Sequence, residues 1–138
     1  MSTLDRLVAY FEELTPDGVT ELPRYYAPDC YFKDPFSEVC TVGEIEKIFA
    51  RMFEQLDAPR FRVHQRVVQG DEAFLVWDLE FRFRGSANSQ RMHGVSHLRF
   101  GADGRVTYHR DYWDAAEELY GRLPVLGWLM RWLKRRVG

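Results

Sequence analysis

Residues 72–85 read EAFLVWDLEFRFRG, and this stretch says most about the fold. Apolar and polar side chains alternate along it with a period of two, which is typical of a β-strand with one buried and one polar face. One face carries Leu75, Trp77, Leu79, Phe81 and Phe83, and the other carries Val76, Asp78, Glu80, Arg82 and Arg84. The pattern predicts a long strand whose aromatic face packs inward.

Further strand-like segments flank this stretch on both sides. Residues 61–69 precede it, and residues 90–100 and 105–113 follow it. The later segments are separated by GSANSQ (85–90) and GADG (101–104), which are typical hairpin connections. This part of the chain is therefore predicted to form an antiparallel meander.

The N-terminal half has helical periodicity instead. A capping box of Ser2 and Asp5 precedes a helical stripe formed by Leu4, Leu7, Val8, Phe11 and Leu14. A short second helix is predicted over 22–26, and a strand over 30–36. A third helix follows Gly43, with a stripe formed by Ile45, Ile48, Phe49, Met52, Phe53 and Leu56. The order of elements predicts an α+β domain.

The composition excludes several classes of protein. The chain has 138 residues, so one domain is expected, and 19 basic against 21 acidic residues give a net charge of −2. This near-neutral balance argues against a nucleic-acid partner. We find no run of eighteen apolar residues and no signal peptide, so we expect a cytoplasmic protein. Cys30 and Cys40 are expected to be small buried hydrophobic residues in a reducing compartment.

The C-terminal end differs in charge from the rest of the chain. Residues 131–138 hold four basic and no acidic residues, which leaves 15 basic against 21 acidic residues elsewhere. The apolar face beside these charges comprises Leu126, Trp128, Leu129, Trp132 and Leu133. Such a helix can lie weakly on an anionic membrane surface, but a short helix without a lipid anchor favours packing against the domain or a second subunit.

The combined pattern resembles the nuclear transport factor 2 superfamily, and within it the SnoaL-like and ketosteroid isomerase-like proteins. The resemblance lies in DG at the first turn, YAPD before CYFKDP (26–35), the glycine-led third helix and the strand RVTYHRDYWD (105–114), and it covers about residues 4–116. It implies a cone-shaped, strongly curved antiparallel sheet wrapped on about three N-terminal helices, the cystatin-like α+β barrel. It further implies a deep apolar pocket and a homodimer through the outer sheet face. We expect one SnoaL-like domain over 1–138, with 114–138 as a C-terminal helical extension.

Asp34 is the first candidate catalytic residue. In the sequence KDP it matches the general base of ketosteroid isomerase, a carboxylate at a strand end that faces the pocket. A carboxylate among apolar walls has its charged form disfavoured, which tunes it for proton transfer. The alternative is a turn-forming Asp ahead of Pro35.

Asp111 and His109 are the second and third catalytic candidates. Strand alternation places them on one face with Thr107 and Trp113, and the resemblance assigns this face to the pocket. An acid here resembles the catalytic Asp of the family's epoxide hydrolases and polyketide cyclases. At strand rise the two residues are about 7 Å apart, too far for a hydrogen bond unless the side chains lean together. The alternative is that both bond tyrosine hydroxyls or water inside the pocket.

Six residues are candidates for ligand binding. Alternation directs four of them, Trp77, Leu79, Phe81 and Trp113, toward a flat or apolar ligand, although a plain hydrophobic core explains them equally well. The resemblance adds Ser96 and Tyr10. Ser96 stands where ketosteroid isomerase has a protonated Asp, and Tyr10 is the nearest phenol to Leu7, which stands in place of its Tyr. These departures argue against steroid isomerisation.

The remaining polar residues are predicted to lie outside the pocket. Asp78 falls on the polar strand face and is expected to be solvated or at an interface. His93 and His97 are about 13 Å apart along one strand, so a shared metal ion is not expected. We find no GxGxxG, P-loop or HExxH motif and expect neither cofactor nor metal.

Two functional hypotheses follow. The first is a pocket protein that handles a small, largely apolar ligand by Asp-mediated proton transfer, as a cofactor-independent isomerase, cyclase, dehydratase or hydrolase. The second is a non-catalytic ligand-binding or dimeric scaffold domain. Two inward carboxylates favour the first, because burying them unused costs several kcal/mol. The missing oxyanion donors favour the second.

Overall fold

A computed structural model describes residues 1–114 and shows two α-helices, one 3₁₀ helix and six strands in that range. The helices are α1 (Thr3–Glu12), a 3₁₀ helix (Asp17–Arg24) and α2 (Val42–Gln55). The strands are β1 (Tyr26–Lys33), β2 (Glu38–Val39), β3 (Leu56–Gln69), β4 (Glu72–Phe83), β5 (Ser89–Phe100) and β6 (Val106–Tyr112). The predicted α+β class is confirmed. The predicted C-terminal helix and its basic end lie outside the described residues.

The strands form one sheet in the order β2-β1-β6-β5-β4-β3. The predicted meander is confirmed from β3 to β6, where each strand pairs antiparallel with the next. The sheet is mixed rather than wholly antiparallel, because β1 runs parallel to β6. A parallel pair needs a long crossover, and the chain between β1 and β6 supplies it.

Helix α2 lies in the hollow of this sheet. It contacts both β1 and β3, although three strands separate them in the sheet order. Neighbouring strands are about 4.8 Å apart, so a flat sheet would hold β1 and β3 about 19 Å from each other. Side chains of β1, β4 and β5 also line one cavity against α2, so the sheet curves around the helix. The buried face of α2 includes Ile45, Ile48 and Phe49, as its apolar stripe predicts.

Helix α1 begins with the predicted capping box. Ser2 Oγ accepts a hydrogen bond from the Asp5 backbone N–H at 3.0 Å, and Asp5 Oδ2 accepts one from the Ser2 N–H at 2.9 Å. These two bonds satisfy backbone donors that a helix start leaves open. The helix then buries Leu7, Val8 and Phe11 against the core.

The second helix and the first strand differ from their predicted bounds. The helix is of the 3₁₀ type and ends at Arg24, and Tyr26 already belongs to β1. Pro28 does not break the chain there, because it lies in the irregular stretch between the paired residues Tyr26 and Tyr31. A proline at a bulge gives up no ladder hydrogen bond, so the strand passes through it.

A bulge in β6 corrects one prediction from strand alternation. Arg99 pairs with Tyr108 and Phe100 pairs with Val106, so Thr107 has no partner on β5. The extra residue reverses the alternation at that point. Thr107, predicted to face the pocket, is exposed, and Val106, predicted on the other face, is fully buried.

The two cysteines have different environments. Cys30 is buried in β1 as predicted, and burial raises the pKa of its thiol to about 12. Cys40 is exposed directly after the two-residue strand β2, so the prediction that it is buried was wrong. Within residues 1–114, no helix is long and apolar enough to cross a bilayer.

Candidate functional site

A cavity of about 100 Å³ opens between α2 and the concave face of the sheet. Its walls are mostly apolar and include Phe49 and Met52 from α2. The four predicted wall residues all line it: Trp77, Leu79, Phe81 and Trp113. Three polar side chains also line the cavity, namely Asp34, Gln55 and Asp111. Aromatic walls with a few placed polar groups are what a small-molecule site requires.

His109 and Asp111 are in direct contact. They stand two residues apart on β6, and their side chains lean together so that His109 Nε2 lies 2.6 Å from Asp111 Oδ1. The His109 side chain is 3% exposed and that of Asp111 is 17% exposed. The predicted separation along the strand therefore does not keep these two residues apart.

Tyr26 sets the tautomer of His109. The Tyr26 hydroxyl lies 2.6 Å from His109 Nδ1, and burial raises the pKa of this phenol well above its usual 10.0. Within residues 1–114 this hydroxyl has no other hydrogen-bond partner, so it donates to Nδ1, and we assign the tautomer that carries its proton on Nε2. His109 Nε2–H then donates to Asp111.

A second chain of hydrogen bonds reaches Asp111 from the neighbouring strands. Trp77 Nε1–H donates to Ser96 Oγ at 2.8 Å, and the Ser96 hydroxyl donates to Asp111 Oδ1 at 2.5 Å. Ser96 pairs with Asp111 across β5 and β6, which places the two side chains on one face. Gly94 makes room for Trp77, because a Cβ at Gly94 would lie 2.5 Å from Trp77 Cη2.

Both chains therefore end on one oxygen of one carboxylate. Asp111 Oδ1 accepts from His109 and from Ser96, and every donor in the network is directed toward it. Among residues 1–114, none donates a hydrogen bond to Oδ2 of Asp111. The arrangement holds the carboxylate in a fixed orientation and leaves one oxygen for a ligand.

Asp34 is both a turn residue and a cavity residue. Its Oδ1 accepts from the backbone N–H groups of Phe36 at 2.8 Å and Ser37 at 2.6 Å, which is the predicted turn around Pro35. The same side chain lines the cavity together with Asp111. The structure therefore brings the two predicted carboxylates to one cavity.

Ser96 and Tyr10, the candidates carried over from the resemblance, differ in position. Ser96 lines a recess of about 20 Å³ beside His109 and Asp111, and this recess shares Phe61 and Trp77 with the main cavity. Tyr10 does not line either space. Its hydroxyl donates to the Gly18 carbonyl at 2.7 Å, and burial raises its pKa.

Gln55 is a polar cavity residue that the sequence interpretation missed. It is the last residue of α2 and is 7% exposed. A signal was present, because Gln55 follows Ile48 by seven residues and Met52 by three, which places it on the buried stripe of the helix. A polar residue on an apolar stripe usually marks either a satisfied core group or a binding group.

Asp78 is less exposed than predicted. It lies on the outer face, but at 9% exposure it is covered rather than solvated. Its carboxylate oxygens lie 2.9 Å from His64 Nε2 and 2.7 Å from His93 Nδ1. Burial acts to raise the pKa of Asp78, but the hydrogen bonds from the two histidines outweigh it and the pKa is lowered. Within residues 1–114, no group of three or more His, Cys, Asp or Glu side chains is arranged to hold a metal ion.

The outer-face position of His93 and His97 is confirmed. His93 pairs with Asp78 across the strands, and His97 lies 2.7 Å from Glu72 and stacks on Phe74 with ring centroids 4.4 Å apart. These contacts are on the side of the sheet opposite Ser96. They have no part in the cavity.

Comparison with known proteins supports the resemblance. The SnoaL-like domain model matches residues 7–109. A protein with a ketosteroid isomerase-like fold from Catenulispora acidiphila, solved in complex with trimethylamine, is 15% identical, with a TM-score of 0.72, over 86% of this chain and 90% of its own. An NTF2-like protein of unknown function from Burkholderia pseudomallei is 17% identical, with a TM-score of 0.71, over 87% and 97%.

An enzyme is also among the similar structures. An LEH-like epoxide hydrolase from M. tuberculosis is 15% identical, with a TM-score of 0.68, over 95% of this chain and 90% of its own. No curated protein matches the sequence. At these identities the structural likeness establishes the fold and leaves the chemistry to the site itself.

Proposed function

We propose that this chain, which belongs to the SnoaL-like domain family, binds a small, largely apolar carbonyl compound and removes a proton from it with Asp111. The observation that carries the proposal is the Asp111 carboxylate, which lines the cavity with Oδ1 held by Ser96 and His109. A carboxylate held in one orientation is suited to act as a general base, because the efficiency of a general base depends on its position relative to the substrate.

The proposed reaction is a proton transfer without a cofactor. Asp111 Oδ2 takes a proton from the carbon next to the substrate carbonyl, and the C–H electron pair moves to the carbonyl oxygen to form an enolate. Return of a proton to a different carbon gives an isomer, and loss of a leaving group from the next carbon gives an elimination product. Asp34 is the second acid–base group in the same cavity and is proposed to take part in the return step.

His109 and Tyr26 serve as positioning residues in this scheme. The neutral imidazole donates to Asp111 Oδ1 and the buried phenol donates to the imidazole, so neither is free to exchange protons with bulk water. Apolar walls exclude water from the reacting carbon and strengthen every electrostatic interaction around it.

The first prediction concerns Asp111→Asn. We expect general-base catalysis to fall by at least about 100-fold in this variant, because an amide cannot accept the proton. The probe is 5-nitrobenzisoxazole, whose C3 deprotonation breaks the N–O bond and releases a coloured cyanophenolate. Initial rates from absorbance are compared at equal protein concentration, after circular dichroism shows that each variant is folded.

Asp78→Asn is the matched control for this experiment. Asp78 is also a hydrogen-bonded carboxylate of the sheet, but it lies on the outer face between two histidines. We expect its rate to equal that of the wild type. Equal rates for the wild type and Asp111→Asn would rule out Asp111 as the base.

A second candidate function is non-catalytic binding of a small organic cation. Aromatic walls and two carboxylates, with no basic side chain among the described lining residues, suit an ammonium group. The C. acidiphila structure contains trimethylamine. Calorimetric titration with tetramethylammonium distinguishes the two functions: saturable binding combined with an inactive wild type in the benzisoxazole assay would favour this one.

A further inference from the structure

Gln55 carries a polar group that the described protein does not satisfy. Gln55 is more than nine-tenths buried, with 7% of its surface exposed, and it lines the cavity. No residue within 1–114 forms a hydrogen bond with its amide. Buried side-chain amides are nearly always paired, since an unpaired one costs free energy of desolvation. An unpaired amide in a cavity wall therefore points to a ligand.

The local structure of the helix end does not use this amide. At the end of α2, the backbone N–H of Leu56 bonds to the Met52 carbonyl without help from the Gln55 side chain. The cavity residues next to Gln55 along the chain, Met52 and Leu56, are apolar and offer it no strong partner.

The other polar groups of the cavity define what Gln55 can contribute. Asp34 and Asp111 are carboxylates, which when ionised only accept hydrogen bonds. Of the three polar side chains in the wall, Gln55 alone carries N–H donors. Two ionised carboxylates repel an anionic ligand, and they cannot donate a hydrogen bond to a carbonyl oxygen. A neutral ligand with a carbonyl oxygen would satisfy Gln55 and tolerate both acids.

We infer that Gln55 Nε2–H donates a hydrogen bond to the carbonyl oxygen of a neutral ketone, aldehyde or ester bound in the cavity. This inference rests on the proposed function, and it names the group that orients the substrate against Asp111. As the proton leaves for Asp111, negative charge develops on the same oxygen and the hydrogen bond strengthens. Gln55 thus provides a hydrogen-bond donor to the oxygen on which the charge develops.

The indole of Trp113 is the competing donor. Trp113 lines the cavity and is half-buried, so its N–H could reach a ligand from another direction. Trp77 does not compete, because its N–H already donates to Ser96. A Trp113→Phe variant removes the competing N–H and keeps an aromatic wall.

The test observes the carbonyl directly. Cyclohexanone labelled with ¹³C at the carbonyl is added to the full chain, and the bound ¹³C signal is recorded by NMR. We expect a downfield shift in the wild type and in Trp113→Phe, because a hydrogen bond polarises the carbonyl. Gln55→Met should lose this shift. Gln69→Met, the same substitution at an exposed glutamine of β3 that does not line the cavity, is the matched control and should keep it.

A kinetic measurement on the same samples separates this inference from the proposed function. In D₂O, exchange of the protons next to the carbonyl should slow roughly 100-fold in Gln55→Met, as expected for loss of one donor to a developing oxyanion. Asp111→Asn should lose exchange and keep the downfield signal. Gln55→Leu, which removes the amide and keeps an apolar side chain, replaces the Met variant if that one does not fold.

Each outcome decides one of the two proposals. Three results would overturn the inference. The downfield shift could persist in Gln55→Met, it could be lost in Trp113→Phe alone, or it could be absent in the wild type. If Asp111→Asn still loses exchange in that case, the proposed function stands without Gln55. If Asp111→Asn exchanges normally while the shift depends on Gln55, the carbonyl contact stands and the catalytic role of Asp111 is lost.

Discussion

At the scale of single residues, the site depends on hydrogen bonds whose direction is fixed by burial. Tyr26 is fully buried and bonds to His109, which bonds to Asp111. Because the phenol remains protonated, it determines the histidine tautomer, and the tautomer determines which group donates to the carboxylate. One buried hydroxyl thus helps to orient the Asp111 carboxylate through His109.

Tyr26→Phe tests this dependence through stability and pH. Removing the hydroxyl leaves His109 Nδ1 without its donor, so we expect the free energy of unfolding to fall by about 1–3 kcal/mol at neutral pH. The folded-state pKa of Tyr26 is raised above the unfolded 10.0, so its contribution is full below pH 10 and is lost as the pH rises beyond it.

Urea unfolding at a series of pH values measures both effects. The wild type should lose stability above pH 10, and Tyr26→Phe should lose less over the same interval. Some loss will remain in the variant, because burial also raises the pKa values of Tyr10 and Cys30. Parallel pH curves for the two proteins would contradict the assignment of the alkaline loss to Tyr26.

At the scale of secondary structure elements, the close approach of β4 and β5 holds the second half of the network. Trp77 lies across the strands from Gly94, and its indole reaches Ser96 because Gly94 has no side chain. The strand pairing therefore sets the position of a side chain that donates toward Asp111. A glycine in a strand interior often marks such a close approach.

Gly94→Ala tests this packing. The new Cβ would meet the Trp77 ring at 2.5–2.7 Å, so the indole must move. We expect a loss of about 1–3 kcal/mol in the free energy of unfolding, measured by urea denaturation. The benzisoxazole rate should also fall, because Ser96 then loses its partner.

Gly43→Ala is the control for this substitution. A Cβ at Gly43 meets nothing within 4 Å, and the residue lies in the first turn of α2. Alanine is the better helix former, so this variant should be as stable as the wild type or more stable. Equal stability of Gly94→Ala and Gly43→Ala would show that the close contact with Trp77 is unimportant.

At the scale of the whole molecule, the two faces of the sheet differ in composition. The concave face forms the cavity, while the outer face carries a patch of Val67, Phe74, Val76, Val95 and Tyr112, aligned across β3 to β6. Val67, Phe74 and Tyr112 are 40–50% exposed. Exposed apolar residues gathered on one sheet face are typical of an interface, so a homodimer through this face stays our prediction.

Phe74→Glu tests the predicted dimer. Light scattering after size exclusion should give twice the 16.4 kDa chain mass for the wild type and a single chain for the variant. Two carboxylates facing each other across a two-fold interface would repel. Ala50→Glu, which adds the same charge at an exposed position on α2, should remain dimeric. A monomeric wild type would contradict the prediction.

The sequence by itself determined which side chains share a face. The period-two pattern of residues 72–85 predicted that Trp77, Leu79 and Phe81 face one way, and they line the cavity. This information is local, because successive Cβ atoms on a strand alternate whatever surrounds them. The same alternation in residues 105–113 failed at Val106 and Thr107, where a bulge adds one residue to β6.

Only the tertiary structure decided which of those side chains meet. His109 and Asp111 lean together because Tyr26, 83 residues from His109, and Ser96, 15 residues from Asp111, hold them from two other strands. Gln55 is a site residue because the sheet curves around α2, which places the Gln55 amide in the cavity wall. Local patterns fix direction along one element, but a hydrogen bond also needs a partner, and here the partners come from elements distant in the chain.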